Sequence, residues 1–260
     1  MSRALFVHLL PTLFEPADLR GGMAVMIDVL RASTTIAHAL AAGAEAVVAC
    51  GEIDEARSAA ANLSAAGPVL LGGERGGRLI EGFDLDNSPL AYTPGRVAGR
   101  TVVFTTTNGT RALRRCAEAE RVLIGAFVNF RSVVNAVEAS ARQVRTSSRR
   151  GGPGGVHLVC AGTDGEITAE DALCAGAFAA ELVRRGYPPG NDAAGLVIDY
   201  FTANSGSAAR LLEIVRGGRG GRNLCELGYE ADIQRSIQRD LFDVVPEYDA
   251  RTGRIVAARL

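Results

Sequence analysis

The sequence predicts an α/β protein, a mixed sheet layered between helices (α/β/α) and built from recurring strand–loop–helix units. Three observations predict it. Short apolar runs alternate with stretches of helical periodicity. Most of the runs are continuous, as in strands covered on both faces. Three of them end in small polar residues that open a helix. With 260 residues the chain can bury a substantial core, as one large α/β domain or two small lobes.

The expected strands are Leu5–Leu9, Met23–Ile27, Ala46–Ala49, Val69–Leu71, Thr101–Thr105, Val122–Ala126 and Val156–Cys160. Helical patterns follow near Thr34–Ala42, Asp54–Ala65, Thr110–Cys116, Phe130–Val144 and Thr168–Arg185, then at Asp192–Thr202, Ser207–Val215 and Ala231–Phe242. Two stretches break the rhythm. Arg145–Gly155 is basic, Gly-rich and non-periodic, and reads as a surface loop. Gly72–Pro89 mixes carboxylates, arginines and glycines, a loop long enough to suggest function.

Composition narrows the class. Net charge is −1, so no basic field points to nucleic acid. The chain contains no lysine, so any anion site must use guanidinium forks, backbone N–H groups or metal. Cys50, Cys116, Cys160, Cys174 and Cys225 are odd in number and form no CxxC pair, which argues against a disulfide framework or structural zinc. Cys160 reads as a core cysteine, since Glu166 stands where a thiolate phosphatase would carry Arg. His8, His38 and His157 lack metal-binding spacing. Leu5–Leu10 stops at Pro11, too short for a membrane span and without a cleavage site, so the cytoplasm is the expected location. A homo-oligomer is expected from base rates.

The recurring unit places polar residues where α/β sheets bind ligands, beyond the carboxyl ends of strands. Asp28 ends one strand, followed by Arg31 and the hydroxyls of Ser33 and Thr34. The carboxylate suits Mg²⁺ binding or attack on phosphorus, with Arg31 on phosphate oxygens. The alternative is an Asp28–Arg31 pair with Ser33 or Thr34 capping a helix. Asn108-Gly109-Thr110 forms either a structural turn or a phosphate cradle. Asp164, Glu166, Glu170 and Asp171 crowd a third strand end, where a Thr168/Asp171 capping box would explain only part of the cluster.

The blocks MIDVLRASTTI (Met26–Ile36), LLGGERGG, GFDLDNSP, TTTNGTRAL (Thr105–Leu113), LIGAFVN (Leu123–Asn129), CAGTDGEITAEDALCAG (Cys160–Gly176), LGYEADI and VVPEY resemble, in this order, the 2-phosphosulfolactate phosphatase (ComB-type) family. The resemblance implies a Mg²⁺-dependent hydrolase releasing phosphate from 2-phosphosulfolactate, first associated with coenzyme M biosynthesis. It also implies a fold of intertwined repeats, here as one domain over residues 1–260 with halves meeting near 145–155. Within the matching blocks we assign Asp28 and Arg31 to catalysis. Ser33, Thr34, Arg75, Asn87, Asn108, Gly109 and Thr110 are assigned to substrate, and Asp28, Glu74, Asp84, Glu170 and Asp171 to Mg²⁺. Asp86 stands where the family pattern has glycine, an added carboxylate expected to oppose a highly charged substrate. The competing readings are a Mg²⁺-dependent lyase or isomerase on a phosphorylated hydroxy acid, and a non-enzymatic anion-binding module.

Overall fold

The computed structural model describes residues 4–143 and 154–258. All seven expected strands are present: β1 (Leu5–His8), β2 (Gly22–Ile27), β3 (Ala46–Cys50), β4 (Val69–Arg75), β6 (Thr101–Thr105), β7 (Arg121–Gly125) and β8 (Gly155–Cys160). Three more join them: β5 (Arg78–Leu79) and the hairpin β9 (Pro246–Asp249) and β10 (Arg254–Ala257). The sheet order is β1-β8-β2-β7-β9-β10-β3-β6-β4-β5. Every residue of β2, β3, β6 and β8 is buried, which is why these strands read as unbroken apolar runs.

The sheet consists of two parallel blocks. β1, β8, β2 and β7 run together, as do β3, β6 and β4. Between them β9 and β10 pair antiparallel with each other, with β7 and with β3. Three antiparallel steps in a row make the two blocks run in opposite directions. In a flat sheet their carboxyl ends would lie at opposite edges. Five strand intervals separate β2 from β6, however, and at about −20 to −25° each they accumulate roughly 100–125° of twist. The sheet therefore curls around α1 (Ala32–Ala41), whose Ile36 and Leu40 share one core with Ala24 and Met26 of β2 and with Val102 and Phe104 of β6. The curl brings α4 (Gly109–Arg115), which follows β6, against β2.

The outer faces are covered by α2 (Ile53–Leu63) on one block and by α5 (Phe130–Gln143) and α6 (Ala169–Arg184) on the other, while the short α3 (Pro94–Val97) sets its Val97 into the core that α1 shares. Against α6 pack α7 (Asp192–Asn204) and α8 (Ala208–Gly217), capped by Asn191 and Ser207, which accept the N–H groups of Ala194 and Arg210. Gly176 permits the α6–α7 contact, since a Cβ there would lie 2.2 Å from the Val197 carbonyl oxygen. Next come α9 (Arg219–Glu226) and α10 (Glu230–Ser236).

Several expectations are corrected. β4 continues through Glu74 and Arg75 rather than ending at Leu71, and Gly76 and Gly77 turn it into β5 with φ of +59° and +80°. The last helix ends at Ser236, not Phe242. His8 and His157, far apart in sequence, meet in the fold: their Nε2 and Nδ1 lie 3.1 Å apart, and burial holds the His8 imidazole down at about 4. The five thiols are free. Nearly all of the Arg145–Gly155 loop, and with it the expected junction of halves, lies outside the described residues. Among the described residues no helix is long and apolar enough to cross a membrane.

Candidate active site

The curl assembles one polar cleft from both blocks. Asp28 beyond β2, Glu74 at the end of β4, Thr106–Asn108 beyond β6 and Thr163–Asp164 beyond β8 all line it, and α9 closes one side with Gly220, Asn223 and Leu224. The volume is about 90 Å³, small against the ~300–1,000 Å³ of ordinary ligand pockets, so it suits a compact polar group.

Asp28 is 6% exposed. Its Oδ1 accepts the Ala32 N–H at 3.2 Å, at the first turn of α1, and its backbone N–H donates to Ser33 Oγ at 2.9 Å. A Cβ on Gly109 would fall 2.7 Å from Asp28 Oδ2 and 2.6 Å from Ala32 Cβ, so the start of α4 needs glycine to approach the carboxylate. Glu74 is held by two strand ends: Oε1 accepts the Thr107 N–H at 2.8 Å and Oε2 the Gly77 N–H at 2.7 Å.

Behind Asp28 lie two more buried carboxylates from the first turn of α6. The capping-box reading of Asp171 is overturned: its Oδ1 accepts the Val29 N–H at 2.8 Å and its Oδ2 the Gly162 N–H at 3.0 Å, binding the end of β2 to the loop after β8. Thr168 is the N-cap residue, but its hydroxyl makes no cap bond. Glu170 is 1% exposed, and its Oε2 has no hydrogen-bond partner. Burial drives Asp28 well above the usual carboxylate range, and Asp171, Glu74 and Glu170 add repulsion against the stabilising Ala32 N–H. Burial, then the charge of Asp171, raises Glu170 to about 8. Asp171 rises to about 6 through burial, moderated by its two N–H donors. A cluster of this kind keeps protons near neutral pH or holds a cation.

Arg31 does not pair with Asp28. Its Nη1 donates to Asp232 Oδ2 at 2.7 Å, Nη2 donates to the Gly77 carbonyl at 2.8 Å, and the guanidinium lies 4.3 Å from the centre of the Tyr229 ring. Arg31 borders the cleft with its charge already matched. Ser88 Oγ donates to Asp232 Oδ1 at 2.7 Å, which draws the 82–89 segment into the same cluster. Asp232 escaped the sequence reading as a site residue, although LGYEADI contains it, because its partner lies 201 residues away.

The other expected residues divide. Asn87 and Asn108 line the cleft; Asn87 Oδ1 is buried and unpartnered, and Asn108 Oδ1 accepts the Asp164 N–H at 3.2 Å. Gly109 lies against Asp28, and Thr110 is turned to Thr106, their hydroxyl oxygens 3.4 Å apart. Ser33 and Thr34 are fully buried, and Thr34 Oγ1 donates to the Val29 carbonyl, so neither reaches the cleft. Arg75 lines a neighbouring cavity. Asp84 is exposed and accepts the Leu71 N–H at 2.8 Å, away from the cleft, so it is not brought to the other proposed metal ligands. Nor does Asp86 face the cleft: its carboxylate accepts the Ser88 N–H and the Tyr229 hydroxyl, both at 2.8 Å. The acidic cluster splits, with Asp164 and Glu166 on the surface paired to Arg219. Sequence reasoning also passed over Thr106, Thr107 and the glycine-rich α9.

Among the described residues no three His, Cys, Asp or Glu side chains are arranged to hold one metal ion by themselves. Magnesium asks for less, commonly one or two protein carboxylates completed by water and phosphate oxygens, and Asp28 and Glu74 fit that need.

Buried carboxylates and helix starts gathered beyond the carboxyl ends of sheet strands form a ligand site of the kind α/β enzymes carry, and the match to a phosphatase family makes this one a phosphoric monoester hydrolase. The model of the 2-phosphosulpholactate phosphatase family matches residues 8–251, and the chain belongs to that family. Relatives include the probable 2-phosphosulfolactate phosphatase of Caldicellulosiruptor saccharolyticus, 36% identical over 88% of this chain and 90% of that protein. Those of Caldanaerobacter subterraneus (39%; 88% and 89%) and Synechococcus sp. strain CC9605 (41%; 89% and 90%) are similar.

Proposed function

We propose that the chain is a Mg²⁺-dependent phosphatase that hydrolyses 2-phosphosulfolactate to 3-sulfolactate and inorganic phosphate. The observation that carries this reading is the meeting of four carboxylates from three chain segments, Asp28 and Glu74 lining one cleft with Glu170 and Asp171 buried behind Asp28. Magnesium, when bound, supplies positive charge for these carboxylates and for the phosphoryl oxygens, and Asp28 and Glu74 are the groups that would hold it.

The chain's own residues do the rest. The ester phosphate sits against Asn108 and the start of α4, where Gly109 leaves the approach to Asp28 open. Asp28 Oδ1 is fixed by Ala32, and Oδ2 orients the attacking water. Asp171 carries no charge to substrate; it sets the position of Asp28 by bonding the next residue's N–H. The Arg31–Asp232 pair fixes one wall, so that little reorganisation accompanies charge development. A phosphate-release assay on 2-phosphosulfolactate, with Mg²⁺ and with chelator, tests the reading. Release only with the metal is expected. Conversion of substrate without free phosphate would point instead to a lyase or isomerase, and the absence of conversion would overturn the proposal.

A further inference from the structure

Thr106 and Thr107 line a second cavity besides the acidic cleft, with a volume of about 270 Å³, shared with Gly51, Arg75, Arg111 and Arg114. Its charge is the reverse of the cleft's. Arg75 is held in place by neutral acceptors alone: Nη1 donates to the Glu74 carbonyl at 2.8 Å, and Nη2 to the Gly51 carbonyl at 2.9 Å and Thr105 Oγ1 at 3.0 Å. Its positive charge is therefore oriented, and no carboxylate among the described residues pairs with it. Arg111 is exposed and makes no hydrogen bond or ion pair among the described residues. Arg114 is matched by Glu55 at 2.5 Å, and Glu52 is the one carboxylate among the lining residues. Across the Thr106–Thr107 wall the lining changes from carboxylates to guanidinium groups.

We propose that Arg75 and Arg111 form a second anion subsite, which receives a carboxylate or sulfonate of the substrate while its phosphate ester occupies the acidic cleft. This placement rests on the phosphatase reading above. A pre-positioned guanidinium beside a free one suits an oxyanion acid, which accepts two parallel N–H bonds from a fork. The pair would give the enzyme a preference for phosphate esters that carry a further acidic group, and Arg111 would be a specificity residue rather than a catalytic one.

Calorimetric titration of wild type and Arg111→Ala with 3-sulfolactate, lactate and inorganic phosphate, all with Mg²⁺, tests the subsite. Because Arg111 is exposed and unpartnered, the substitution leaves the fold alone. We expect 3-sulfolactate affinity to fall about tenfold, as for loss of a charge-assisted hydrogen bond, with phosphate affinity unchanged. In turnover the KM for 2-phosphosulfolactate should rise by a similar factor while kcat stays within about twofold. An equal loss for lactate would identify the carboxylate as the bound group, and an effect confined to 3-sulfolactate the sulfonate. Equal weakening of phosphate, or no change with 3-sulfolactate, would overturn the proposal. The binding pattern without phosphate release in wild type would fault the phosphatase reading and leave the subsite standing.

Discussion

Glu170 lets the buried acidic cluster be tested without substrate. Its carboxyl is raised to about 8 from an ordinary 4.5 by burial and by Asp171. As pH rises above 4.5 the unfolded chain releases this proton while the folded chain retains it, so stability falls with pH until the folded carboxyl ionises near 8. The slope is at most about 1.4 kcal/mol per pH unit, and the accumulated loss is roughly 5 kcal/mol. Asp28 and Asp171 are shifted in the same direction and steepen the decline. Glu170→Gln keeps the shape and removes the titration. Urea unfolding in chelator between pH 5.5 and 8.5 should show the variant gaining about 3 kcal/mol on wild type across that range. Mg²⁺ should raise wild-type stability most at the alkaline end, where the carboxylates are ionised. Parallel curves for wild type and variant would refute the reasoning, because Glu170 would then hold no extra proton in the folded state.

Four substitutions probe the rest of the site. Asp28→Asn should lower the turnover of phosphate release at least ~10²-fold, and near-normal turnover would remove Asp28 from the mechanism. Gly109→Ala places a Cβ 2.6 Å from Ala32 Cβ and 2.7 Å from Asp28 Oδ2, and should cost about 1–3 kcal/mol in urea unfolding as well as activity. Asp232→Ala strands the buried Arg31 charge, for an expected loss of about 3–5 kcal/mol. Adding Arg31→Met should recover most of that stability but not the activity, measured by unfolding and phosphate release on the same samples.

The seven expected strands were legible because each is a local run of mostly apolar residues, and four of them are buried along their whole length. The helix-opening turns after β2, β6 and β8 were legible for a similar reason: small polar residues punctuate them within a few positions. Asp28, Asn108 and Gly109 were found through that local signal, and they do meet. β9 was missed because Glu247 and Asp249 make it look polar, and pairing with β7 and β10 makes it a strand. The helix α9 was missed because Gly220 and Gly221 argue against helix locally. Packing demands them: a Cβ on Gly220 would stand 2.3 Å from Glu170 Oε1, and one on Gly221 1.9 Å from the Val215 carbonyl oxygen.

By itself, then, the sequence determined the α/β class, the strand ends that supply most of the cleft and the family. Only the tertiary structure decided that the two parallel blocks run oppositely, that Arg31 pairs with Asp232, that Asp171 braces β2 instead of capping its own helix, and that Asp84 and Asp86 stay out of the cleft. The physical reason is range. Burial pattern and turn chemistry act over a few residues and are written along the chain. The partner of a buried charge is set by how the sheet curls, and that depends on strands joined across the whole length of the protein.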